Sequence, residues 1–349
     1  LKTSILSLIM KNIELKFLNK RTNYNIFLIF LMLMLGITNN SCVNTEKCIV
    51  YKPVIDGNWW EITSQPDLGE YSSERQQPVD FGIWQAEDGT FQLWSCIRRT
   101  NAGGRTRLFY CWEGKNITDT AWQPKGIAME ADTTLGEAKS GLQAPFVLKD
   151  NGKYLMFYGD WNRICLAESD DGKTFTRVLN KKNNPSLFSG SLSNTRDPMV
   201  LKIDDTYYCY YCGHMGVNDK KDHPKTAIFC KTSTDLRTWS KEYVVSRGGI
   251  AQKLTDWYGG DSECPFVVKY KDRYILFRNQ VYGENSVNTQ YCSKNPLDFG
   301  DNHDDYFTGF LKCAAPEIIN VNGQYYIVAL KPGLDGMMAA KLKFVEVEL

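Results

Sequence analysis

The sequence predicts an all-β fold, a five-bladed β-propeller with four-stranded antiparallel blades around a central funnel, and two observations predict it. The first is a layout repeated five times: PVDFGIWQAEDGTFQLWSCIR from Pro78, PFVLKDNGKYLMFYGD from Pro145, PMVLKIDDTYYCYYCGH from Pro198, PFVVKYKDRYILFRNQ from Pro265 and PEIINVNGQYYIVALK from Pro316. Each copy sets a proline, a short apolar strand, a tight polar turn and a second strand rich in Tyr, Phe and Trp, which is a hairpin signature. The second is spacing: the prolines recur about every 50 to 70 residues, room for four strands and their loops, with no three-turn amphipathic helix between them.

In chain order, Lys11, Lys16, Lys20 and Arg21 precede the apolar run IFLIFLMLMLGI and the sequence TNNSC. That order predicts a signal peptide over residues 1–41. Ser41 before Cys42 has the form of a lipoprotein signal, so the protein is expected to be exported to the periplasm or cell surface. Its one expected membrane contact is a lipid anchor at Cys42. Residues 42–70, with Trp59 and Trp60, are expected to form a linker and a lead-in strand, or to supply a strand that closes the ring. The propeller is expected over 71–349. A third strand follows most hairpins (RLFYCWE, ICLAES, AIFCKTS, TQYCSK, MMAAKLK), and a polar turn then leads to an aromatic residue in SDDGKTF, STDLRTW and SKNPLDF.

Composition narrows function. With 41 basic and 40 acidic residues, the chain has no electrostatic grip for nucleic acid, which needs a basic face. Aromatics at 13% suit stacking on sugar rings and aromatic-rich strands equally. Beyond Cys42, most of the cysteines lie in apolar runs and are expected to be free buried thiols, a framework that still leaves room for one or two disulfides. Cys209 and Cys212, with His214 nearby, lack zinc-site spacing, so no metal site is expected, although a structural channel cation is compatible with the fold.

Aligned on their prolines, the repeats read QQ, QA, RD, EC and AA in the two preceding positions. Small or neutral residues satisfy a blade entrance, so the charges of the third and fourth copies are additional. Innermost strands line the funnel, which brings Asp197 and Glu263 to one pocket from neighbouring blades. Asp80, two positions after its proline, is the third candidate, and Glu317 follows Pro316. Clustered carboxylates in a funnel are what glycoside hydrolysis requires, one protonated to protonate the leaving oxygen and one ionised as nucleophile or base. Crowding separates their pKa values and makes that division workable. Arg196 is expected to hold a neighbouring acid ionised or to grip a hydroxyl. Gln143, Gln77, Asp160, Trp161, His214 and Gln280 are the remaining candidate substrate contacts.

The RDP of Arg196 to Pro198 and the ECP of Glu263 to Pro265 resemble two acidic motifs of glycoside hydrolase family 32 and its clan. Family 43 is a related group on the same five-bladed scaffold. The resemblance covers all five repeats and implies that Asp197 stabilises the transition state and Glu263 is the acid/base. Family 32 carries its nucleophile in an Asn-Asp-Pro-Asn frame in blade one. Here that stretch reads QQPVDF, which sets Gln77 in the aspartate's place and leaves two alternatives, that Asp80 substitutes from a shifted strand or that the nucleophile is absent. The β-sandwich usual after the family 32 propeller does not follow the fifth repeat. The resemblance therefore implies a distant member. The expected activity is an exo-acting glycoside hydrolase, without a cofactor, on terminal bonds of a plant or algal oligo- or polysaccharide. A non-catalytic surface glycan-binding propeller and a polysaccharide lyase on the same fold are the alternatives.

Overall fold

The computed structural model describes residues 49–214, 226–254 and 262–348. The expected signal peptide and Cys42 lie outside the described residues, as do residues 215–225 and 255–261. β1 (Ile49–Ile55) and β2 (Trp60–Glu61) come first. Blade one follows as β3 (Gln77–Gln85), β4 (Phe91–Arg98), β5 (Leu108–Gly114) and β6 (Gln123–Met129). Blade two comprises β7 (Gln143–Asp150), β8 (Lys153–Gly159), β9 (Ile164–Ser169) and β10 (Thr176–Arg177), with β11 (Ser186–Phe188) also paired to β9. Blade three is β12 (Asn194–Ile203), β13 (Thr206–His214), β14 (Thr226–Ser233) and β15 (Tyr243–Ser246). Blade four is β16 (Glu263–Tyr270), β17 (Arg273–Val281), β18 (Val287–Ser293) and β19 (Phe307–Leu311).

Blade five contains β20 (Ala314–Val321), β21 (Gln324–Leu330) and β22 (Met337–Glu348), and its fourth strand is β1 from the other end of the chain. The segment read as a lead-in thus supplies the strand that closes the ring. The innermost strands touch in cyclic order, β3 to β7 to β12 to β16 to β20 and back to β3.

Local chemistry explains the hairpins. Asn151 and Gly152 both have positive φ (50° and 77°), as do Asn322 and Gly323 (51° and 87°). Two successive left-handed residues match the twist of the strands they join. The polar turns between third and fourth strands have their own device. Asp171 accepts from the backbone N–H of Lys173 and Thr174, and Asp235 does the same for Arg237 and Thr238.

Each such turn delivers an aromatic to the preceding blade. Phe175 packs edge-on against Trp84 and Trp94 and Phe299 edge-on against Tyr210, while Trp239 packs at a tilt against Phe188. Phe299 is fully buried and Phe175 and Trp239 half-buried, and rings of this size remove about 150–250 Å² from water when enclosed. The core accordingly lies between blades, in two apolar clusters centred on blades three to five and on blades one and two. Among the described residues all nine cysteines but Cys264 are buried, and Cys96, Cys111, Cys165, Cys209, Cys212, Cys230, Cys264 and Cys313 are free thiols.

Candidate active site

Each innermost strand carries the same defect near its start. Pairing with the second strand slips between Val79 and Phe81, Gln143 and Phe146, Arg196 and Met199, Glu263 and Phe266, and Ala314 and Glu317. Within each slip one non-glycine residue takes positive φ: Asp80 (32°), Ala144 (43°), Asp197 (54°), Cys264 (43°) and Ala315 (46°). A bulge in this sterically costly region re-aims its residue. All five surround a cavity of ≈ 10 Å³ on the axis, lined also by Phe81, Pro145, Pro198, Pro265 and Glu317. That is room for about one water molecule.

This geometry corrects the sequence frame in blade one. Asp80 is not displaced from the repeat; it occupies the bulge position of Asp197, and Phe81 stands where the other blades have proline. Gln77 is not in the aspartate's place. It lies three residues earlier, opposite Arg98, whose Nε and Nη2 donate to its side-chain oxygen at 3.1 and 2.9 Å. Val79 is the blade-one counterpart of Gln143, Arg196 and Glu263.

Asp80, Asp197 and Glu263 are 8, 4 and 5% exposed, so their charges are governed by neighbours and not by solvent. Asp197 Oδ2 accepts from Cys212 Sγ at 2.9 Å and from the Cys264 backbone N–H at 3.3 Å, and lies 3.5 Å from Arg196 Nε. Its Oδ1 has no hydrogen-bond partner among the described residues. Asp80 Oδ1 accepts from Tyr282 Oη and from Cys264 Sγ, each at 3.1 Å. Burial holds the Cys264 thiol and the Tyr282 phenol far above their ordinary pKa, with Asp80 adding to both, so each keeps its proton to donate. Glu263 accepts from Arg196 Nη2 and lies 3.0 Å from His214 Nε2.

The electrostatic consequences divide the acids. Burial pushes the Asp197 carboxyl up, and Asp80 and Glu263 add to this against Arg196, giving a pKa of about 6. Burial acts on Glu263 in the same direction, yet the Arg196 guanidinium and the His214 hydrogen bond outweigh it and bring it to about 2. Glu317 is pushed well up by burial and by Asp80. Donor atoms of Asp80, Asp197 and Cys264 lie within 4.8 Å of one another, and this trio could hold a cation.

The other candidates separate by register. Residues paired across strands share one face of the sheet, and Gly159, Cys212 and Asn279 pair with Gln143, Arg196 and Glu263. Gln143 is fully buried beside the bulge, with its side-chain nitrogen unpartnered among the described residues. Asp160 and Gln280 each lie one residue further on, Asp160 just past the end of β8 and Gln280 within the slip between Asn279 and Val281. Asp160 is spent within its own turn, accepting from the N–H groups of Asn162 and Arg163 and pairing with the Arg163 guanidinium. Gln280 Oε1 accepts from Thr289 N inside blade four at 3.0 Å. Trp161 has φ 84° and holds Arg105 and Arg107 over its ring, with guanidinium carbons 4.4 and 5.3 Å from the ring centroid. His214 stands beside both Arg196 and Glu263.

Tyr282 and the Cys264 side chain join the site without having been singled out from sequence, and Cys212, weighed there only as a zinc ligand, joins it as a donor to Asp197. The usable signal was the hairpin register: Cys212 and Asn279 are the strand partners of Arg196 and Glu263, and Tyr282 follows three residues after Asn279.

The profile of the glycosyl hydrolases family 32 N-terminal domain matches residues 109–325. No curated protein matches the chain. Among solved structures, a thermostable family-43 glycoside hydrolase is similar at 17% identity and TM-score 0.56, covering 82% of this chain and 93% of that one. A β-xylosidase/α-arabinofuranosidase from a compost microbial metagenome, calcium-free and in complex with xylotriose, is similar at 18% identity and TM-score 0.53, over 80% and 95% of the two chains. An endo-arabinase from Bacteroides thetaiotaomicron is similar at 14% and 0.56, over 81% and 98%. At such identities the likeness to these structures is one of fold.

Proposed function

The chain belongs to the glycosyl hydrolases family 32 N-terminal domain family and is a glycoside hydrolase, and from this premise we propose that it is exo-acting on terminal residues of a plant or algal glycan. The observation that carries the reading is the placement of Asp80 and Asp197 on equivalent bulges, with Glu263 one position before the bulge of the next blade. Exo action is supported by the funnel floor. Bulge side chains close around a cavity of ≈ 10 Å³, leaving a sugar chain no passage at that level. The arabinan- and xylan-directed names of the similar structures support a pentose-containing plant substrate.

In this reading Glu263 delivers its proton to the glycosidic oxygen as the bond to the anomeric carbon breaks. Asp197 stabilises the positive charge that develops on the sugar ring, and Asp80 acts as base or nucleophile toward that carbon. Water supplies the hydroxyl of the released sugar. A proton on Glu263 requires release from Arg196, and a substrate hydroxyl that accepts from the Arg196 guanidinium provides it. The apolar run before Cys42 supports export, with a lipid anchor at the cell surface or in the periplasm.

The test is a screen of the purified protein against aryl furanosides, aryl pyranosides and plant and algal oligosaccharides. A sugar is expected to be released, and Glu263→Gln should lower kcat by about 10²–10⁴-fold while binding is retained. If nothing is turned over, and wild type and variant bind glycans equally, the hydrolase mechanism is wrong.

A further inference from the structure

We propose that the 98–108 hairpin of blade one forms a subsite for an acidic sugar, one bearing a carboxylate or a sulfate ester, beside the three carboxylates. The inference rests on the hydrolase reading and names the substrate class of the same site. β4 runs back from the far end of the blade toward the level of Asp80, so the loop that follows it sits on the funnel rim. That loop carries Arg98, Arg99, Arg105 and Arg107.

It is fastened to the chain entering blade two, because Arg105 N donates to Lys139 O at 2.9 Å and Arg107 N to Ser140 O at 2.8 Å. Lys139 thereby joins the cluster, its Nζ beside Gly103. Gly104 has φ 49°, and a Cβ there would stand 2.3 Å from Lys139 O, so this close fastening requires glycine.

Elsewhere Arg163, Arg177, Arg196, Arg247 and Arg273 each have a carboxylate partner. Among the described residues no ion pair includes any of the five rim cations. Arg98 is held by Gln77 and Arg107 by Cys96 Sγ at 3.5 Å, both uncharged. Arg99, Arg105 and Lys139 are exposed. Like charges crowd here: burial, followed by Arg98, Arg75 and Arg107, lowers the Arg99 pKa. The cluster reaches the edge of the site, since Arg107 feels the Asp80 carboxylate and the Arg196 guanidinium, and Trp161, which carries Arg105 and Arg107, offers its carbonyl oxygen to Asn194, the partner of Arg196.

A rim of unpaired guanidinium groups disfavours folding through mutual repulsion and is useful when an anion completes it. Planar guanidinium forks match carboxylate and sulfate oxygens in pairs. Stacking on Trp161 fixes the Arg105 guanidinium in advance, which lowers the ordering cost of binding. Trp161 therefore serves the sugar through the arginines it orients.

The experiment uses the full chain carrying Glu263→Gln, titrated calorimetrically with two matched pairs of oligosaccharides. One pair is a uronate-bearing oligosaccharide and its carboxyl-reduced neutral form; the other is a sulfated oligosaccharide and its desulfated form. The acidic member of one pair should bind at least about tenfold more tightly, as for a charge-assisted hydrogen bond, and the gap should narrow as salt rises. Which pair shows the gap identifies the anion.

Adding Arg99→Ala and Arg105→Ala should collapse the gap, and Arg105→Lys should restore part of it; a thermal midpoint no lower than that of the parent verifies the fold. Acidic and neutral members binding alike, or not at all, overturns the subsite, as does a gap that persists in the Arg99→Ala/Arg105→Ala protein. If wild type cleaves none of these glycans while the gap appears and collapses as stated, the hydrolase reading fails and the subsite stands. If neutral glycosides are cleaved and no gap appears, the reverse holds.

Discussion

Arg196 is the residue on which the electrostatics of the site turns. It donates to Glu263, lies 3.5 Å from Asp197 Oδ2 and meets both ring nitrogens of His214. Asn194 accepts from its Nη1 at 3.0 Å once the amide is oriented to satisfy both of its partners. Arg196 lowers the pKa of both acids, so Arg196→Gln should raise both. Asp197, near 6 in the wild type, must be ionised to stabilise a cationic sugar. Because Glu263 must carry a proton in the same molecule, kcat/KM should rise through about 2, stay level and fall as pH passes about 6, and both limbs should move to higher pH in the variant.

Stability changes in a separate window. Glu263, depressed to about 2, contributes stability that is present above its unfolded value of about 4.3 and lost as pH falls toward 2. Arg196→Gln should remove that contribution, and urea unfolding at neutral pH should show a lower midpoint. An acid limb that stays in place would mean that Arg196 does not set the protonation of the catalytic acids. Tyr282→Phe removes one donor from Asp80 and should lower kcat by about tenfold, the worth of one hydrogen bond to a charged group, while leaving KM nearly unchanged. An unaltered kcat would show that Asp80 needs no help from this phenol.

The strand bulge is the element that turns a repeated hairpin into a site, and it is where sequence reading succeeded and failed. RDP and ECP were legible because the residue before proline is barred from the helical region and proline donates no ladder hydrogen bond, which makes proline a marker of the defect in four blades. In blade one Pro78 precedes the bulge by two residues, and the bulge itself is followed by Phe81. An alignment on proline therefore shifted the blade by three positions, placed Gln77 where Asp80 belongs and made the best third acid look irregular. Alignment on proline also says nothing of the local hydrogen bonds that Asp160 and Gln280 make, to the turn at Asn162 and Arg163 and to Thr289 N.

The bulge also explains Gly82. A Cβ on Gly82 would stand 2.4 Å from the Pro145 carbonyl oxygen of blade two, inside any real contact. Gly82→Ala should destabilise by about 2 kcal/mol, a typical cost of overpacking, read as a lower urea midpoint at unchanged m-value. Equal midpoints would mean that blades one and two tolerate separation at this contact.

At the scale of the whole molecule the five repeats were legible because each is a self-contained hairpin with its own turn chemistry, whereas the closing strand was legible only as one of two alternatives, because its partner lies at the far end of the chain. β1 pairs with β22 over seven residues, from Ile49 against Glu348 to Ile55 against Leu342. It also ties blade five to blade four. Ile49 O accepts from Arg273 Nε and Nη2 at 3.2 and 2.9 Å, and Tyr51 packs edge-on against Tyr270 with ring centroids 5.1 Å apart. Without β1, β22 becomes an exposed edge and a template for intermolecular pairing. The blade-four groups that faced β1 would be uncovered at the same time. A propeller whose ends are joined in one blade should unfold as a unit, because opening that blade opens the ring. A chain beginning at Gly57 should therefore lose several kcal/mol relative to one beginning at Cys42, about the size expected for losing a paired, half-buried strand, and should aggregate on heating. Calorimetry of the two chains makes the comparison. A single transition at an equal midpoint in both would show that blade five holds the ring closed with three strands and that β1 is dispensable.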